Sequence, residues 1–434
     1  MTKKDDLRRG GYRYKKNRKA GSYSATKKQA PKKAKSRGKK KSSGLGAFLV
    51  LLLVVILIAA IFFTPLFNGF RFPWGSGRVY PERAEFVIRR DITLTSRDRI
   101  SYTIDLPVPE TIGGDVQEVH EVRGDPEPEH IVKYGKEWMV WEGEFGSITR
   151  RNRVSETFSV TYSVSTRTLD WGYSSENSGT VDEIDEDLKE RYNKNQWQLE
   201  IDRNGDGEND WMIQPDHPVI EEKARQIVAG ENNVYDKARA LYDWLSRNVE
   251  YRRDVIQGDN RPKHAIWTYE ERAGDCDEQS FLYISMARAV GIPAWIELGV
   301  LYDRVREDWG GHGWIRLNFV TSGGETGWVN IDPVNHQFFG RDALRITAWT
   351  DDGGETDGRS HLEDFYTFLT YSGGRLDDWS EEFETLDIEK SGDVVLGGDR
   401  VDFISGFQTY HLLGAGMITT MIYWHIKKVK RDRL

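Results

Sequence analysis

The chain has 434 residues, enough for two or three domains that each bury a core, and one cysteine, which excludes an intrachain disulfide and a cysteine-built zinc site. Its net charge of −8 conceals a polarity along the chain: residues 1–41 carry 18 Lys or Arg against two Asp, which leaves about −24 on the remainder. A basic tail with no recognition motif points to anionic lipid headgroups and away from nucleic acid as its partner.

Residues 1–43, rich in Lys, Gly and Ser, are expected to be disordered. Leu45–Phe63 is an unbroken apolar run of 19 residues whose helix would rise about 28 Å, enough to cross a bilayer's hydrocarbon core. The long basic region and the lack of a small-residue cleavage site argue against a removed signal peptide, so 45–66 is read as a transmembrane helix. Over 78–170, stretches such as AEFVIRRDITLTS, RISYTIDLPVP and ETFSVTYSVSTRT alternate β-branched or aromatic residues with polar ones between Pro, Gly and Asp turns, which predicts an antiparallel β-sandwich.

A linker over 180–218 carries a polar helix and the loop DRNGDGENDW. Asp202, Asn204, Asp206 and Asp210 fall at positions one, three, five and nine of an EF-hand-type loop, with Gly207 at the sharp turn and Glu208 beside them. Ile213 stands at position twelve, where such loops place a bidentate Glu. The expectation is a structural calcium ion that pins the linker; the alternative is a polar turn built by Asn-Gly and Asp-Gly.

Helical periodicity follows at Val219, Ala224, Ile227 and Val228, and again at Val234, Ala238, Leu241, Tyr242 and Leu245. Beyond the cysteine, AWIELGVLYD, GWIRLNFV and GWVNIDP read as strands, completing a domain over 219–376. Residues 377–401, dense in Asp and Glu, read as a solvated linker. Ile404–Trp424, with a Gly414/Gly416 pair and a Tyr423-Trp424 edge, predicts a second transmembrane helix over 402–425, followed by a basic tail, 426–434. Basic flanks on the outer side of both runs place both termini in the cytoplasm and the central domain outside, in a multi-pass protein of the cell membrane.

The only cysteine lies in RAGDCDEQS. Asp275 precedes an apolar-periodic run from Phe281 to Val290 that stops at Gly291 and Pro293, so Cys276 falls in the first turn of a helix. The free amides there favour a thiolate, lowering the thiol pKa, while Asp275, Asp277 and Glu278 oppose it, so a base is needed to hold the proton. Structural cysteines in an oxidising exterior come in pairs, and a lone one asks for a chemical role. His312 and Asp332 supply an imidazole and a carboxylate to fix its tautomer, provided their two strands pair through the TSGGET turn. His264 and His336, near the same motifs, are read as structural, and no HExxH is present.

In order and spacing, GDCDEQS, ARAVGIPAW, HGWIRL and WVNIDP resemble the Cys, helix-end, His and Asp motifs of the transglutaminase-like superfamily over about Tyr235 to Phe338. The resemblance implies an α+β fold: a papain-like transglutaminase core, here with the N-terminal antiparallel β-sandwich and the two flanking transmembrane helices. It implies Cys276 as nucleophile, His312 as general base and Asp332 as the orienting acid. Gly313 departs from the family's usual Ala, and Trp295 from its usual Arg. No oxyanion donor is identifiable; Trp244 and Trp267 carry candidate indole N–H groups but read as core aromatics.

The reading that follows is a membrane-anchored, extracytoplasmic thiol enzyme acting on peptide or amide bonds through a Cys acyl-enzyme, by hydrolysis or acyl transfer. Its substrate would be a surface protein, a peptide or an envelope polymer, and membrane lipids would meet both helices and the basic tails. The alternative is a non-catalytic cell-surface binding module on the same fold.

Overall fold

The computed structural model describes Arg8–Arg9 and residues 78–396, apart from 114, 148–151, 199–210, 253–261, 305, 352–354 and 357–358. Alternation in Arg83–Ser96 sends Ala84, Phe86, Ile88, Ile92 and Leu94 inward at no more than 1 % exposure. The strand pairs with Val154–Arg167 along its whole length, and that strand pairs in turn with Gln117–Asp125. Ile100–Pro107, Lys136–Phe145 and Glu129–Lys133 form a second antiparallel sheet. The two sheets share one apolar core that includes Phe86, Ile104, Leu106, Trp141 and Phe158.

This sandwich is not purely N-terminal. Leu369–Ser372 adds to the Ile100–Pro107 strand, and Leu376–Ser391 runs antiparallel to Arg83–Ser96 over 16 residues. The acidic linker expected over 377–401 is therefore corrected to an edge strand through Ser391, followed by a short strand, Val394–Leu396. Trp379, Phe383 and Ile388 lean on the sandwich core, and the acids meet the arginines of the neighbouring strand, with Arg90 to Glu381 at 2.6 Å and Arg89 to Glu384 at 2.5 Å. Two register shifts, after Leu376 and after Thr385, break the period-two signal, which is why acid density alone was legible there.

Val394–Leu396 pairs with Arg78–Tyr80, so the chain enters and leaves this unit at hydrogen-bonded neighbours. Among the described residues no helix is long and apolar enough to cross a membrane. Both expected spans, 45–66 and 402–425, lie outside the described residues, as do the C-terminal basic tail, the loop carrying Asp202, Asn204, Asp206, Glu208 and Asp210, and the N-terminal basic tail apart from Arg8–Arg9, which pairs antiparallel with Thr370 and Tyr371 instead of being disordered.

The remaining core is a five-stranded antiparallel sheet in the order Gln337–Phe338, Thr326–Asp332, Asp308–Val320, Ala294–Asp303, Arg345–Thr350. Helix Cys276–Ala289 packs on it, with Pro218–Ile227, Val234–Asn248 and Ala265–Glu271 packed on the helix. Every residue from Glu278 to Arg288 is buried, so this helix is enclosed on all sides. Arg288 fixes its far end, with Nε donating to the Ala294 carbonyl and Nη2 to Gln196 Oε1, both at 2.8 Å. Gly291, at φ +85°, takes the left-handed turn that the helix end requires.

Candidate active site

Asp275 starts the cysteine helix. Its carboxylate accepts from Asp277 N at 3.0 Å while Glu278 Oε2 accepts from Asp275 N at 2.9 Å, a reciprocal capping box that sets Cys276 at the first helical position. The thiol is partly buried, and its hydrogen bond runs to Asp277 Oδ1 at 3.7 Å. The lowered thiol pKa expected from the helix terminus is corrected here. Burial first, then Asp277, Asp275 and Glu278, push the thiol well above the ordinary cysteine range, and only the N–H of Gly313 works the other way. Asp277 is itself pushed up to about 6, by burial and then by Glu278.

Gly313 accounts for one departure from the family pattern. A Cβ there would stand 2.5 Å from Asp277 Oδ1 and 3.1 Å from Leu298, so the glycine makes room for the Asp277 carboxylate beside the sulfur. The TSGGET hairpin forms with Val320 opposite Thr326, and its paired strands bring Asp332 to His312.

His312 Nε2 donates to Asp332 Oδ2 at 2.8 Å, both side chains buried. This leaves Nδ1 as the nitrogen available to a proton donor. The same carboxylate accepts from Asn335 Nδ2 at 2.8 Å and pairs with Arg345 Nη2 at 3.0 Å, while Asn335 N donates to its other oxygen at 3.0 Å. Burial alone would raise Asp332, but His312 and Arg345 outweigh it and hold the carboxyl well below the usual range. Arg345 also pairs with Asp342 at 2.6 Å and lies over the Trp314 ring, which stacks on His312.

The structure thus brings His312 and Asp332 into contact and sets Cys276 at the start of the helix packed under their strands, with its proton turned to Asp277. Sequence reasoning missed Arg345, Asn335 and Tyr366. Asn335 had a signal, an Asn three residues after Asp332 in a Pro-containing turn. Arg345 had none, since it opens the strand Arg345–Thr350 on the far edge of the sheet, with no motif around it. Tyr366 stacks on Trp197 at 4.9 Å, and its hydroxyl lies in the field of the site: burial, then Asp277 and Cys276, push the phenol well above its ordinary range.

Of the indoles considered for an oxyanion role, Trp244 is stacked on Tyr269 with the Arg272 guanidinium 4.8 Å from its ring. His264 caps the Ala265–Glu271 helix by accepting from Trp267 N at 3.1 Å, and His336 sits in a turn at φ +57°. Trp295 stacks on Tyr192, and its cross-strand partner Arg316 brings a guanidinium to 5.8 Å from the indole. Asp275, Cys276 and Asp277 bring oxygen and sulfur atoms within 4.8 Å of one another, a grouping that the cap already explains. Ile213, the twelfth position of the calcium-type loop, is a fully buried strand residue in the core, so no ligand reaches the loop from it.

Residues 221–333 match the family model of the transglutaminase-like superfamily, and this part of the chain is a transglutaminase-like core. Among solved structures, a candidate cysteine protease from Cytophaga hutchinsonii is 18% identical, over 75% of this chain and 97% of that one, with a TM-score of 0.49. The periplasmic domain of TgpA from Pseudomonas aeruginosa, bound to ethylmercury, is 15% identical over 56% of this chain and 74% of that one, with a TM-score of 0.27. A candidate protease from Parabacteroides distasonis is 14% identical over 62% of this chain and 47% of that one, with a TM-score of 0.25. No curated protein matches the chain.

Proposed function

We propose that the chain is a membrane-anchored, extracytoplasmic thiol enzyme that acts on peptide or amide bonds. The observation that carries this reading is the buried His312–Asp332 pair at 2.8 Å, its carboxylate held ionised by Arg345 on the strands that cover the Cys276 helix. In the reaction Cys276 turns from Asp277 toward His312 Nδ1 and gives up its proton as the sulfur attacks the carbonyl carbon. Asp332 holds the other nitrogen protonated and stabilises the imidazolium that forms. His312 then passes the proton to the leaving amine, a thioester remains on Cys276, and water or an amine resolves it.

The carboxylates crowding the thiol favour the second reading, a binding module in which Cys276 is an inert helix-start residue. Carboxamidomethylation of Cys276 by iodoacetamide, followed from pH 5 to 10, separates the two. In an enzyme His312→Ala slows the reaction at neutral pH roughly tenfold. A rate indifferent to His312 leaves the binding module standing.

Anchoring rests on the two apolar runs of the sequence, Leu45–Phe63 and Ile404–Trp424, and on the basic residues that flank them. Protease added outside intact cells should spare tags at either terminus and degrade the middle; loss of the C-terminal tag would leave a single span. Asp202, Asn204, Asp206, Glu208 and Asp210 are proposed to hold a structural calcium ion in the connection between the paired strands Gln196–Gln198 and Trp211–Ile213. Calcium in the millimolar range should raise the melting temperature over chelator, and Asp206→Ala should abolish the rise.

A further inference from the structure

Glu297 is a carboxylate in the middle of the core sheet, 2 % exposed and flanked along its strand by the buried Ile296 and Leu298. A buried charge is costly to desolvate, and apolar residues of similar volume often serve stability as well as a buried ion pair does. Its partners show where the charge acts. Oε2 accepts from Nε1 of Trp314, the residue paired with Glu297 across the ladder, at 2.6 Å, and from Asn330 Nδ2 at 2.9 Å; Oε1 pairs with Arg316 Nη1 at 3.0 Å. One carboxylate thus ties three neighbouring strands together, and the bond to Trp314 is the shortest of the three.

Trp314 leads to the base. Its ring is 0 % exposed and lies 5.8 Å from the imidazole of His312 with 29° between the planes, and the Arg345 guanidinium lies 4.9 Å from the same ring. Arg345 pairs with Asp332 at 3.0 Å, and Asp332 accepts from His312 at 2.8 Å, so His312, Asp332, Arg345 and Trp314 close a ring of contacts. Stacking alone leaves an indole free to slide in its own plane, and a charge-assisted hydrogen bond from Nε1 to a fixed carboxylate removes that freedom. The same bond polarises the indole and strengthens the negative face that meets the imidazolium formed when His312 takes a proton.

We propose that Glu297 is a positioning residue for His312 and acts through Trp314: it fixes the indole, and the indole fixes the imidazole that serves Cys276. The proposal rests on the reading of His312 as the base of the thiol. Glu297 also favours the charged form of the buried Arg341, so the competing role is a counter-ion that stabilises the fold and leaves the chemistry alone.

The test is the rate at which iodoacetamide alkylates Cys276 at neutral pH in the full chain, measured on single and paired variants. Glu297→Gln keeps the volume and an oxygen acceptor and removes the charge; it is expected to slow the reaction roughly threefold, the step from a charge-assisted to a neutral hydrogen bond. In a His312→Ala background the same change should alter nothing, and in a Trp314→Phe background, which keeps a ring against His312 without the N–H, most of its effect should vanish. A counter-ion would lower the melting temperature in every background and leave the alkylation rate of the folded chain where it was. If Glu297→Gln does not fold, Trp314→Phe carries the test, and should slow alkylation in the presence of His312 and not in its absence. Slowing by His312→Ala but by neither Glu297→Gln nor Trp314→Phe, or equal slowing with and without His312, overturns the proposal and leaves the base in place. A rate indifferent to His312 itself overturns the reading of the base, and the proposal falls with it.

Discussion

Two groups of buried carboxylates in the same core stand in opposite states. At the start of the Cys276–Ala289 helix, Asp275 and Glu278 accept from backbone N–H groups, Asp277 accepts from the thiol, and burial with mutual repulsion pushes Asp275 and Asp277 up. Asp332 and Asp342 are also buried, which alone would raise them, yet both are pushed down: His312 and then Arg345 lower Asp332, and Arg345 lowers Asp342. Arg345 pairs with both. The first group holds protons near Cys276, and the second holds a charge against His312.

The largest effect should come from breaking the reactive pair. Cys276→Ala and His312→Ala should each reduce amide turnover by about a thousandfold or more, with the double variant scarcely worse than either, since the groups act as a unit. Asp332→Asn should lose less, because it keeps the shape of the partner and removes the charge. Additive losses in the double variant would show that His312 does not act on the thiol.

Removing the cation should convert the second group toward the first. Arg345→Met leaves Asp332 and Asp342 buried without their shared partner, and a loss of about 3–5 kcal/mol is expected for a broken buried pair. Urea unfolding measures it. Asp332→Asn with Asp342→Asn in the same chain should recover much of that loss, and failure to recover would mean that Arg345 acts through its packing on Trp314 instead.

Much of this contrast was invisible in the sequence. The capping pattern around Asp275 and Glu278, the helix stop at Gly291 and the hairpin that joins His312 to Asp332 are local, and local spacing reports them. Arg345 reaches Asp332 from a strand that joins the sheet on its opposite edge, so no spacing along the chain announces the contact. The state of the thiol was misjudged for a related reason. How close Asp277 stands to the sulfur depends on the missing side chain of Gly313, which belongs to a strand 36 residues away from Asp277. The acidic strand Leu376–Ser391 hid because its charges pair with arginines nearly 300 residues earlier and its bulges blur the alternation.

The thiol can be moved without touching the base. Asp277→Asn removes the carboxylate that accepts the proton of Cys276 and should speed its alkylation at neutral pH by roughly tenfold, about the effect of one pKa unit. Gly313→Ala should act in the same direction, since its Cβ would force Asp277 Oδ1 from its place. An alkylation rate unaltered in both variants would show that Asp277 does not govern the sulfur.

The smallest effect is a pH dependence of stability, and it has opposite signs in the two groups. Asp277, at about 6 in the folded chain against an ordinary 3.8, binds its proton more tightly folded than unfolded. Its contribution is fully present below the ordinary value and is lost as pH rises through about 6. Asp332 is depressed, so its contribution is present above the ordinary value and is lost as pH falls below it. Asp277→Asn removes only the first limb. Its melting temperature relative to the unmutated chain should therefore climb by several degrees between pH 4 and pH 7, on the scale of about 3 kcal/mol for a shift of about two pKa units, and then level. A difference that stays flat across that window would mean that Asp277 titrates like an exposed carboxylate, and the thiol would then lose the neighbour that keeps it protonated.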